Sequence, residues 1–347
     1  MTLTIALDAM GGDRAPAVVV EGARLARERH PELRFLLFGD EAQVGPLLRA
    51  APDVAGCSEL RHTPDRIEAD AKPSQALRQG RNSSMRLAIE AVKDRAADAA
   101  LSAGNTGALM ATAKFVLKTL PGIDRPAIAS VLPTRRSQTV ILDLGANVEC
   151  DAGNLVQFAV MGEVFARAVL GIAEPTVGLL NIGTEELKGD STVRTAAALL
   201  RASDLPIGFH GFVEGNDITA GTVDVVVTDG FTGNVTLKVI EGTAGLYADF
   251  LRRAFTSTAR AKLGYLLARP ALERLRERLD PRRYNGAMFL GLNGVVVKSH
   301  GGTDAVGFAS AIGVAVDLVS RRTNERIIGE LNRVGEAVAE QRRAAAS

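Results

Sequence analysis

The chain has 347 residues, of which 46% are hydrophobic and 23% charged, and its formal net charge is +1. This length and composition allow a large buried core, and the near-zero charge provides no overall field to steer the chain to nucleic acid. Cys57 and Cys150 form neither a disulfide framework nor a metal-ligand pattern, so we expect a cytoplasmic protein without a metal site. We expect no signal peptide, and because no apolar run reaches about eighteen residues, any contact with a membrane should be peripheral.

Short apolar strands alternate with amphipathic helices along the chain. The predicted strands are 3–8, 34–39, 99–104, 127–133, 139–145, 176–183, 223–230 and 293–299. The predicted helices include 83–96, 105–118, 152–170 and 190–202. Many strands are continuous apolar runs, which is typical of strands covered on both faces. The alternation predicts an α/β three-layer sandwich with a mostly parallel sheet, formed by residues 1–347 as a single catalytic unit.

Five turns that follow predicted strands share one composition, rich in Gly, Asn, Asp and small hydroxyl residues. They are DAMGGD (8–13), SAGNTGA (102–108), DLGANVECDAGN (143–154), NIGTEELKGDS (181–191) and TDGFTGN (228–234). Ligands bind beyond the carboxyl ends of parallel strands, and turns that lead into helices present backbone N–H groups to anions. One such turn is ordinary turn chemistry. Five of them, expected at the same edge of the sheet, predict an anion-binding cleft.

The familiar phosphate motifs are absent. No G-x-G-x-x-G follows the first strand, and GTEELKGDST is not a P-loop because Lys188 precedes Gly189. Lys188 can hold a phosphate as a point charge, or it is a solvated loop lysine. His300, which precedes a Gly-Gly turn, is either a cleft residue or a hydrogen-bonded turn histidine. No Ser stands in a nucleophile elbow, so covalent catalysis has no evident nucleophile.

Residues 240–283 differ from the rest and predict a protruding amphipathic helical segment. Between positions 252 and 283, ten Arg and Lys residues stand against three Asp and Glu residues. We expect KLGYLLARP (262–270) to be an exposed turn between two helices, with an apolar tip made of Leu263, Tyr265, Leu266 and Leu267. An apolar tip flanked by cations suits an anionic membrane, and the cations also suit an acidic protein. The apolar stripe is alternatively a subunit interface, and we expect the helices to dimerise while the tip contacts lipid.

Six stretches together resemble the bacterial acyl-carrier-protein-dependent phosphate acyltransferase (PlsX) family. They are IALDAMGGDRAP, SAGNTGALM, LDLGANVECDAGNLVQFAVMG, GLLNIGTEELKGD, VTDGFTGNVTLK and RYNGAMFLGLNGVVVKSHGGTD. The resemblance runs in order from residue 5 to about residue 320. It implies a fold related to phosphotransacetylases and isopropylmalate dehydrogenases.

The resemblance also implies an activity and partners. The expected reaction moves a long-chain fatty acyl group from acyl carrier protein to inorganic phosphate, giving acyl phosphate for phospholipid synthesis without a metal or organic cofactor. The expected protein is a homodimer, attached peripherally to the inner face of the cell membrane. A downstream acyltransferase that moves the acyl group from acyl phosphate to glycerol 3-phosphate is a further expected partner.

The resemblance assigns roles to residues of the motif turns. Lys188 is expected to bind phosphate or the developing oxyanion, and Asn234 to donate its side-chain amide to the reacting carbonyl or to phosphate. The other residues expected to line the cleft are Asp8, Gly11, Gly12, Asn105, Thr106, Asn147, Asp229 and His300. Phosphate is itself a competent nucleophile and a thiolate leaves readily, so positioning and oxyanion stabilisation should carry most of the catalysis.

Three other functions are alternatives to this one. A phosphotransacetylase acting on short acyl-CoA fits the same cleft, although the basic segment favours a long-chain, protein-borne substrate. A decarboxylating dehydrogenase needs a metal-binding carboxylate cluster and a nucleotide site, and neither motif is present. A non-catalytic anion-binding module is disfavoured, weakly, by Lys188 and Asn234 within motif turns. The sequence does not specify the acyl chain length.

Overall fold

The computed structural model describes residues 2–203, 205, 207–278 and 280–330. The strands are β1 Thr4–Asp8, β2 Arg34–Gly39, β3 Ser58–His62, β4 Ala99–Ser102, β5 Ala127–Pro133, β6 Gln138–Leu142, β7 Thr176–Leu180, β8 Gly208–Val213, β9 Val225–Val227, β10 Ala287–Leu290 and β11 Val295–Lys298. The helices are α1 Ala17–Arg29, α2 Glu41–Ala50, α3 Pro52–Ala55, α4 Pro73–Gln79, α5 Ser84–Lys93, α6 Thr106–Leu117, α7 Ala152–Phe165, α8 Ser191–Ala202, α9 Gly215–Ala220, α10 Gly230–Thr256, α11 Ala259–Arg278 and α12 Ala305–Ser320.

The described strands form one sheet in the order β3-β2-β1-β4-β11-β10-β5-β6-β9-β7-β8. Seven neighbouring pairs are parallel, namely β1 with β2 and with β4, β2 with β3, β4 with β11, β6 with β9, and β7 with β8 and with β9. Strand β10 is antiparallel to both β11 and β5, and β5 is antiparallel to β6. The prediction of a mostly parallel sheet is confirmed, with a central antiparallel region.

The antiparallel region corrects the expectation that all five motif turns lie at one edge of the sheet. The β5–β6 hairpin reverses the chain direction, and β6, β9, β7 and β8 then run opposite to β1, β2, β3, β4 and β11. The turns after β1, β4 and β11 therefore lie at one edge, and the turns after β6, β7 and β9 lie at the other. The prediction failed because apolar runs identify strands and not their direction.

Helices cover both faces of the sheet, as the three-layer prediction requires. Alternate residues of each strand enter different cores: Ile5 and Leu7 join one core, whereas Ala6 joins the other. The first core lies under α1, α2, α7, α8 and α12. The second lies under α4, α5, α6, α9 and the start of α10, where Leu237 and Ile240 pack against it.

The predicted segment 240–283 covers α10 from residue 240 onwards and all of α11, and it differs from the prediction in one respect. The predicted turn at 262–270 is wrong, because these residues lie inside α11, which contains Pro270. The chain turns instead at 257–258, where the Thr258 hydroxyl accepts a hydrogen bond from the Ala261 amide. Ser and Thr favour such capping, whereas the Leu, Ala, Lys and Arg residues of 262–270 are good helix formers.

Much of this segment is exposed. Every residue from 241 to 254 is exposed, and the two helices meet through an edge-to-face contact of Phe255 and Tyr265, with ring centroids 5.7 Å apart. The expected lipid-contacting residues are exposed on α11: Leu263 60%, Tyr265 46%, Leu266 61% and Leu267 77%. Position 279 of the predicted segment lies outside the described residues.

Candidate active site

Asp8 is buried at the end of β1 and only 1% exposed. Its carboxylate accepts hydrogen bonds from the hydroxyls of Ser84 and Ser102, both at 2.6 Å, and from the amide of Met10 at 3.2 Å. Burial raises the pKa of Asp8, and the hydrogen bonds from the two serines act in the opposite direction. The carboxylate thus joins α5 to the ends of β1 and β4, and its oxygens are occupied by protein donors.

The glycine pair after β1 permits close packing between turns. A Cβ atom on Gly11 would lie 2.8 Å from the Gly104 amide nitrogen, and one on Gly12 would lie 3.1 Å from the Gly301 carbonyl oxygen. Gly12 also has a φ of +102°, which disfavours other residues. Side chains are therefore excluded here because three turns meet, whereas the sequence suggested close approach to a ligand.

Asn105 and Thr106 begin α6 at the same edge. The Asn105 side-chain oxygen accepts a hydrogen bond from the Ala108 amide at 2.8 Å, which caps the helix. Its side-chain nitrogen donates to the carbonyls of Ala69, at 2.7 Å, and Ala71, at 3.3 Å. Thr106 is exposed. Asn105 therefore organises the turn, and Thr106 is the one of the pair that faces solvent.

His300 lies in the turn after β11 and is exposed. Its backbone amide donates to the Asn285 side-chain oxygen at 2.9 Å, and its Nδ1 accepts from the Gly302 amide at 3.1 Å. The neutral ring therefore carries its proton on Nε2. The Gly301 carbonyl accepts from the Asp13 amide at 3.0 Å, which joins this turn to the turn after β1. His300 is thus held at the edge that also carries Asp8.

At the opposite edge, Asn147 supports a buried carboxylate. Its side-chain nitrogen donates to Asp143 at 2.9 Å and to the Pro126 carbonyl at 2.7 Å. Burial raises the pKa of Asp143, which is 0% exposed, and the hydrogen bonds that it accepts act in the opposite direction. Backbone amides also donate to this carboxylate, from Ile128, Gly145, Ala146 and Asn147. Asn147 is only 8% exposed, so its role in the structure is to support the turn.

The start of α10 packs on this turn. The Gly230 amide donates to the Asn147 carbonyl at 2.8 Å, and Asp229 caps the helix by accepting from the Thr232 amide at 2.8 Å. Asn234 follows in the first turns of α10, is exposed, and lies over Gly145. The side-chain amide of Asn234 is therefore presented to solvent at the edge formed by the turns after β6 and β9.

Lys188 lies at the same edge as Asn234, in the turn after β7, the strand that pairs with β9. The turn is closed by a hydrogen bond from the Lys188 amide to the Glu185 carbonyl and by one from the Asn181 side chain to the Lys188 carbonyl. Lys188 is exposed, and within the described ranges its ammonium group makes no ion pair. The two residues expected to be catalytic thus share an edge, and both side chains are available to a ligand.

Helix α10 extends from the turns after β6 and β9 towards the turn after β11. Lys238 lies eight residues beyond Gly230, about 12 Å along the helix, which is close to the length of a four-residue strand. Its charge is near enough to Lys298, at the end of β11, to contribute to the lowered pKa of that lysine. Lys188 and Asn234 therefore lie at one edge of the sheet, Asp8 and His300 lie at the other, and α10 extends between the two edges.

Three residues important to this arrangement were missed from the sequence. Asp143 and Lys298 are buried charges that each end an apolar strand run, and this position was the available signal. Asn285 donates to the hydroxyls of Ser299, at 2.8 Å, and Thr303, at 3.3 Å, in the turn after β11. No local pattern marks Asn285, because its partners are distant in sequence.

The described part of the chain contains no group of three or more His, Cys, Asp and Glu side chains placed to hold a metal ion. Among its helices, none combines the length and the apolar character needed to cross a membrane.

Solved structures with the same fold include phosphotransacetylases. The chain aligns with the phosphotransacetylase of Streptococcus pyogenes with a TM-score of 0.60 and 17% identity, covering 93% of this chain and 94% of that one. The EutD phosphotransacetylase of Staphylococcus aureus gives a TM-score of 0.56 and 18% identity, with coverage of 93% and 94%. A 4-hydroxythreonine-4-phosphate dehydrogenase from Klebsiella pneumoniae gives 0.54 and 14%, with coverage of 92% and 98%. The chain therefore has the phosphotransacetylase-like α/β fold.

Sequence relatives define the family within this fold. A profile of the family described as "Fatty acid synthesis protein" matches residues 3–326. The phosphate acyltransferase of Rhodospirillum centenum is 67% identical over 96% of this chain and 94% of its own, and that of Rhodospirillum rubrum is 62% identical over 96% and 95%. The chain belongs to the phosphate acyltransferase family.

Proposed function

We propose that this chain is an enzyme that transfers a fatty acyl group from acyl carrier protein to inorganic phosphate. The observation that carries the proposal is the 67% identity to a phosphate acyltransferase over 96% of the chain. The geometry supports it, because Lys188 and Asn234 present a free cation and a free amide at one edge of the sheet.

In the proposed reaction, an oxygen of phosphate attacks the thioester carbonyl carbon and forms a tetrahedral oxyanion. The carbon–sulfur bond then breaks, and acyl phosphate and the carrier's thiolate leave. Lys188 binds phosphate or the oxyanion, and Asn234 donates its amide to the reacting carbonyl or to phosphate. Such donors act by stabilising charge that develops in the transition state. The remaining cleft residues, among them Thr106 and His300, line the approach from the other half of the sheet.

The environment of Cys150 favours direct attack by phosphate. This thiol follows β6, close to Asn147, with its Sγ atom 3.7 Å from the Asn147 carbonyl oxygen. Burial, together with the negative charge of Asp143, raises the pKa of Cys150 to about 11. A thiol in that range is protonated at neutral pH and is a poor nucleophile. An acyl-cysteine intermediate is therefore disfavoured at this edge.

Apolar side chains around Lys188 and Asn234 support a long acyl chain as the substrate. Leu187 is 85% exposed, Ile182 79% and Phe231 62%. Large exposed apolar residues close in sequence to the proposed ligand groups suit a site that binds an apolar ligand. A two-carbon acyl group would leave this surface uncovered, so it distinguishes the proposal from a short-chain phosphotransacetylase.

The helical segment supports the finer part of the proposal, a homodimer at the inner face of the cell membrane. Leu246, Phe250 and Leu251 are about half exposed on α10 and suit a subunit interface, whereas Leu266 and Leu267 on α11 suit lipid. The arginines and lysines of α11 suit anionic headgroups or the acidic carrier protein. The product is a reactive mixed anhydride, which suits direct delivery to a downstream glycerol 3-phosphate acyltransferase.

The test is to incubate the protein with hexadecanoyl acyl carrier protein and phosphate, and to trap the product with hydroxylamine. We expect acyl hydroxamate that depends on phosphate, and little product when hexadecanoyl-CoA replaces the carrier protein. Formation of hydroxamate from acetyl-CoA at a higher rate would establish the alternative, a short-chain phosphotransacetylase. No trapped product from any donor would refute both activities.

A further inference from the structure

Lys298 is a buried lysine to which the proposed reaction gives no role. It ends β11, between β4 and β10 in the middle of the sheet, and is 9% exposed. Lysine is rarely buried without a specific reason, because transfer of its charge out of water is costly. The position of this ammonium group therefore requires an explanation.

The bonds of Lys298 join separate turns. Its Nζ atom donates to the Ala103 carbonyl, in the turn after β4, at 3.3 Å, and to the carbonyl of Ser299, in its own turn. Ala103 is also the residue against which Gly12 packs. The ammonium group thus lies where the turns after β1, β4 and β11 meet, and the turn after β11 carries His300.

Charged groups from three elements act on Lys298. Burial lowers its pKa to about 8, Asp8 on β1 and Asp13 in the following turn favour the charged form, and Lys238 on α10 disfavours it. Near neutral pH, the ammonium form predominates and makes these hydrogen bonds. As the pH rises through about 8, the charge is lost and the hydrogen bonds to the two carbonyls weaken.

We propose that Lys298 is a positioning residue that holds the turn after β11, and with it His300, against the turns that follow β1 and β4. The proposal rests on the proposed function, in which His300 lines the cleft. Lys298 itself is too buried to bind substrate directly. It acts through the placement of its neighbours, and the charge state of the amine determines whether the turn is held.

The direct test follows the His300 ring by NMR as Lys298 titrates. The chain has four histidines, and a His300→Gln variant identifies the Cε1–H signal of His300. We expect this signal to show a step near pH 8, the pKa of Lys298. The step should be absent in Lys298→Met, and also in Lys298→Arg, since a guanidinium group stays charged. A wild-type signal without the step, or the same step in Lys298→Met, would overturn the proposal.

Turnover provides the second test. Lys298→Met should lower kcat by about 10-fold or more through misplacement of cleft groups, with the KM for phosphate within about twofold of the wild type. Lys298→Arg should recover part of the loss, and the control Lys93→Met, which changes an exposed lysine at the end of α5, should have no effect. Unchanged kcat in Lys298→Met, measured on an active wild type, would refute a positioning role. An inactive wild type would refute the proposed function instead, and the NMR titration would still decide how Lys298 acts on the turn.

Discussion

Gly233, directly before Asn234, tests how α10 is placed over the turn after β6. A Cβ atom at position 233 would overlap the carbonyl oxygen of Asp143, and it would lie 2.9 Å from the carbonyl carbon of that residue and 3.1 Å from the Thr228 methyl group. The overlap is with backbone, so a change of side-chain rotamer cannot relieve it. Gly233→Ala must therefore move the start of α10 away from the turn.

The expected magnitude follows from two opposing effects. Overpacking against a rigid neighbour costs up to about 3 kcal/mol, while alanine in place of glycine in a helix stabilises by about 1 kcal/mol. The net loss in the free energy of unfolding is about 2 kcal/mol. For a chain of 347 residues this lowers Tm by about 3 °C. A displacement of Asn234 by about 1 Å should lower turnover by about 10²-fold.

Thermal melts and the acyl hydroxamate assay measure these two effects. The matched control is Gly313→Ala on α12, where a Cβ atom would meet nothing within 4 Å. The control should be more stable than the wild type by about 0.5–1 kcal/mol and fully active. If both variants are stabilised alike, or if Gly233→Ala turns over like the wild type, the packing of α10 on this turn does not place Asn234.

Three further predictions concern Lys188 as the proposed catalytic lysine, the helical segment and pH. Lys188→Ala should lower acyl phosphate formation by about 10²-fold or more without unfolding the protein, and near-normal turnover would remove Lys188 from the mechanism. The double variant Leu266→Glu, Leu267→Glu should lose cosedimentation with anionic liposomes and keep turnover. The control Leu199→Glu on α8 should keep its cosedimentation. Unchanged cosedimentation of the double variant would contradict lipid contact at α11. Because the pKa of Lys298 falls from 10.5 to about 8 on folding, the unfolded chain binds more protons between these values. The difference in unfolding free energy between the wild type and Lys298→Met should therefore rise by about 2 kcal/mol from about pH 7.5 to about pH 9.5. Urea titrations at several pH values measure this difference. A difference that does not change with pH would be inconsistent with a buried charge at Lys298.

Apolar periodicity located most of the strands but not all of them. Strands β2 and β5 have the predicted bounds. Strand β3, with the sequence SELRH, was missed because it is half exposed and carries charged residues. Strands β8 and β10 were also missed. Strands β3 and β8 are the two edge strands of the sheet, and hydrophobic pattern reports burial, so an exposed edge strand gives a weak signal.

The sequence predicted which residue types form the candidate site, but not which of their side chains are free to bind a ligand. The motif turns contain the expected Gly, Asn and Asp residues, but many of these act within the protein. The carboxylate of Asp8 accepts from Ser84, and the side-chain amides of Asn105 and Asn147 donate to the carbonyls of Ala69 and Pro126. Lys188 and Asn234, the two residues expected to be catalytic, are exposed, as are Thr106 and His300 among the other expected cleft residues. Turn residues that hold a loop and those that bind a ligand have the same composition, so sequence alone does not separate them.

The sequence by itself determined the family and the local structure of each turn, because capping aspartates, turn glycines and apolar runs act over a few residues. Tertiary structure alone decided which turns meet. The antiparallel strands at the centre of the sheet divide the motif turns between two edges, and α10 extends from one set towards the other. Lys298 became significant only when its ammonium group was found beside a carbonyl 195 positions earlier in the chain. Strand direction and the burial of a charge depend on contacts between residues far apart in sequence, and no local pattern encodes them.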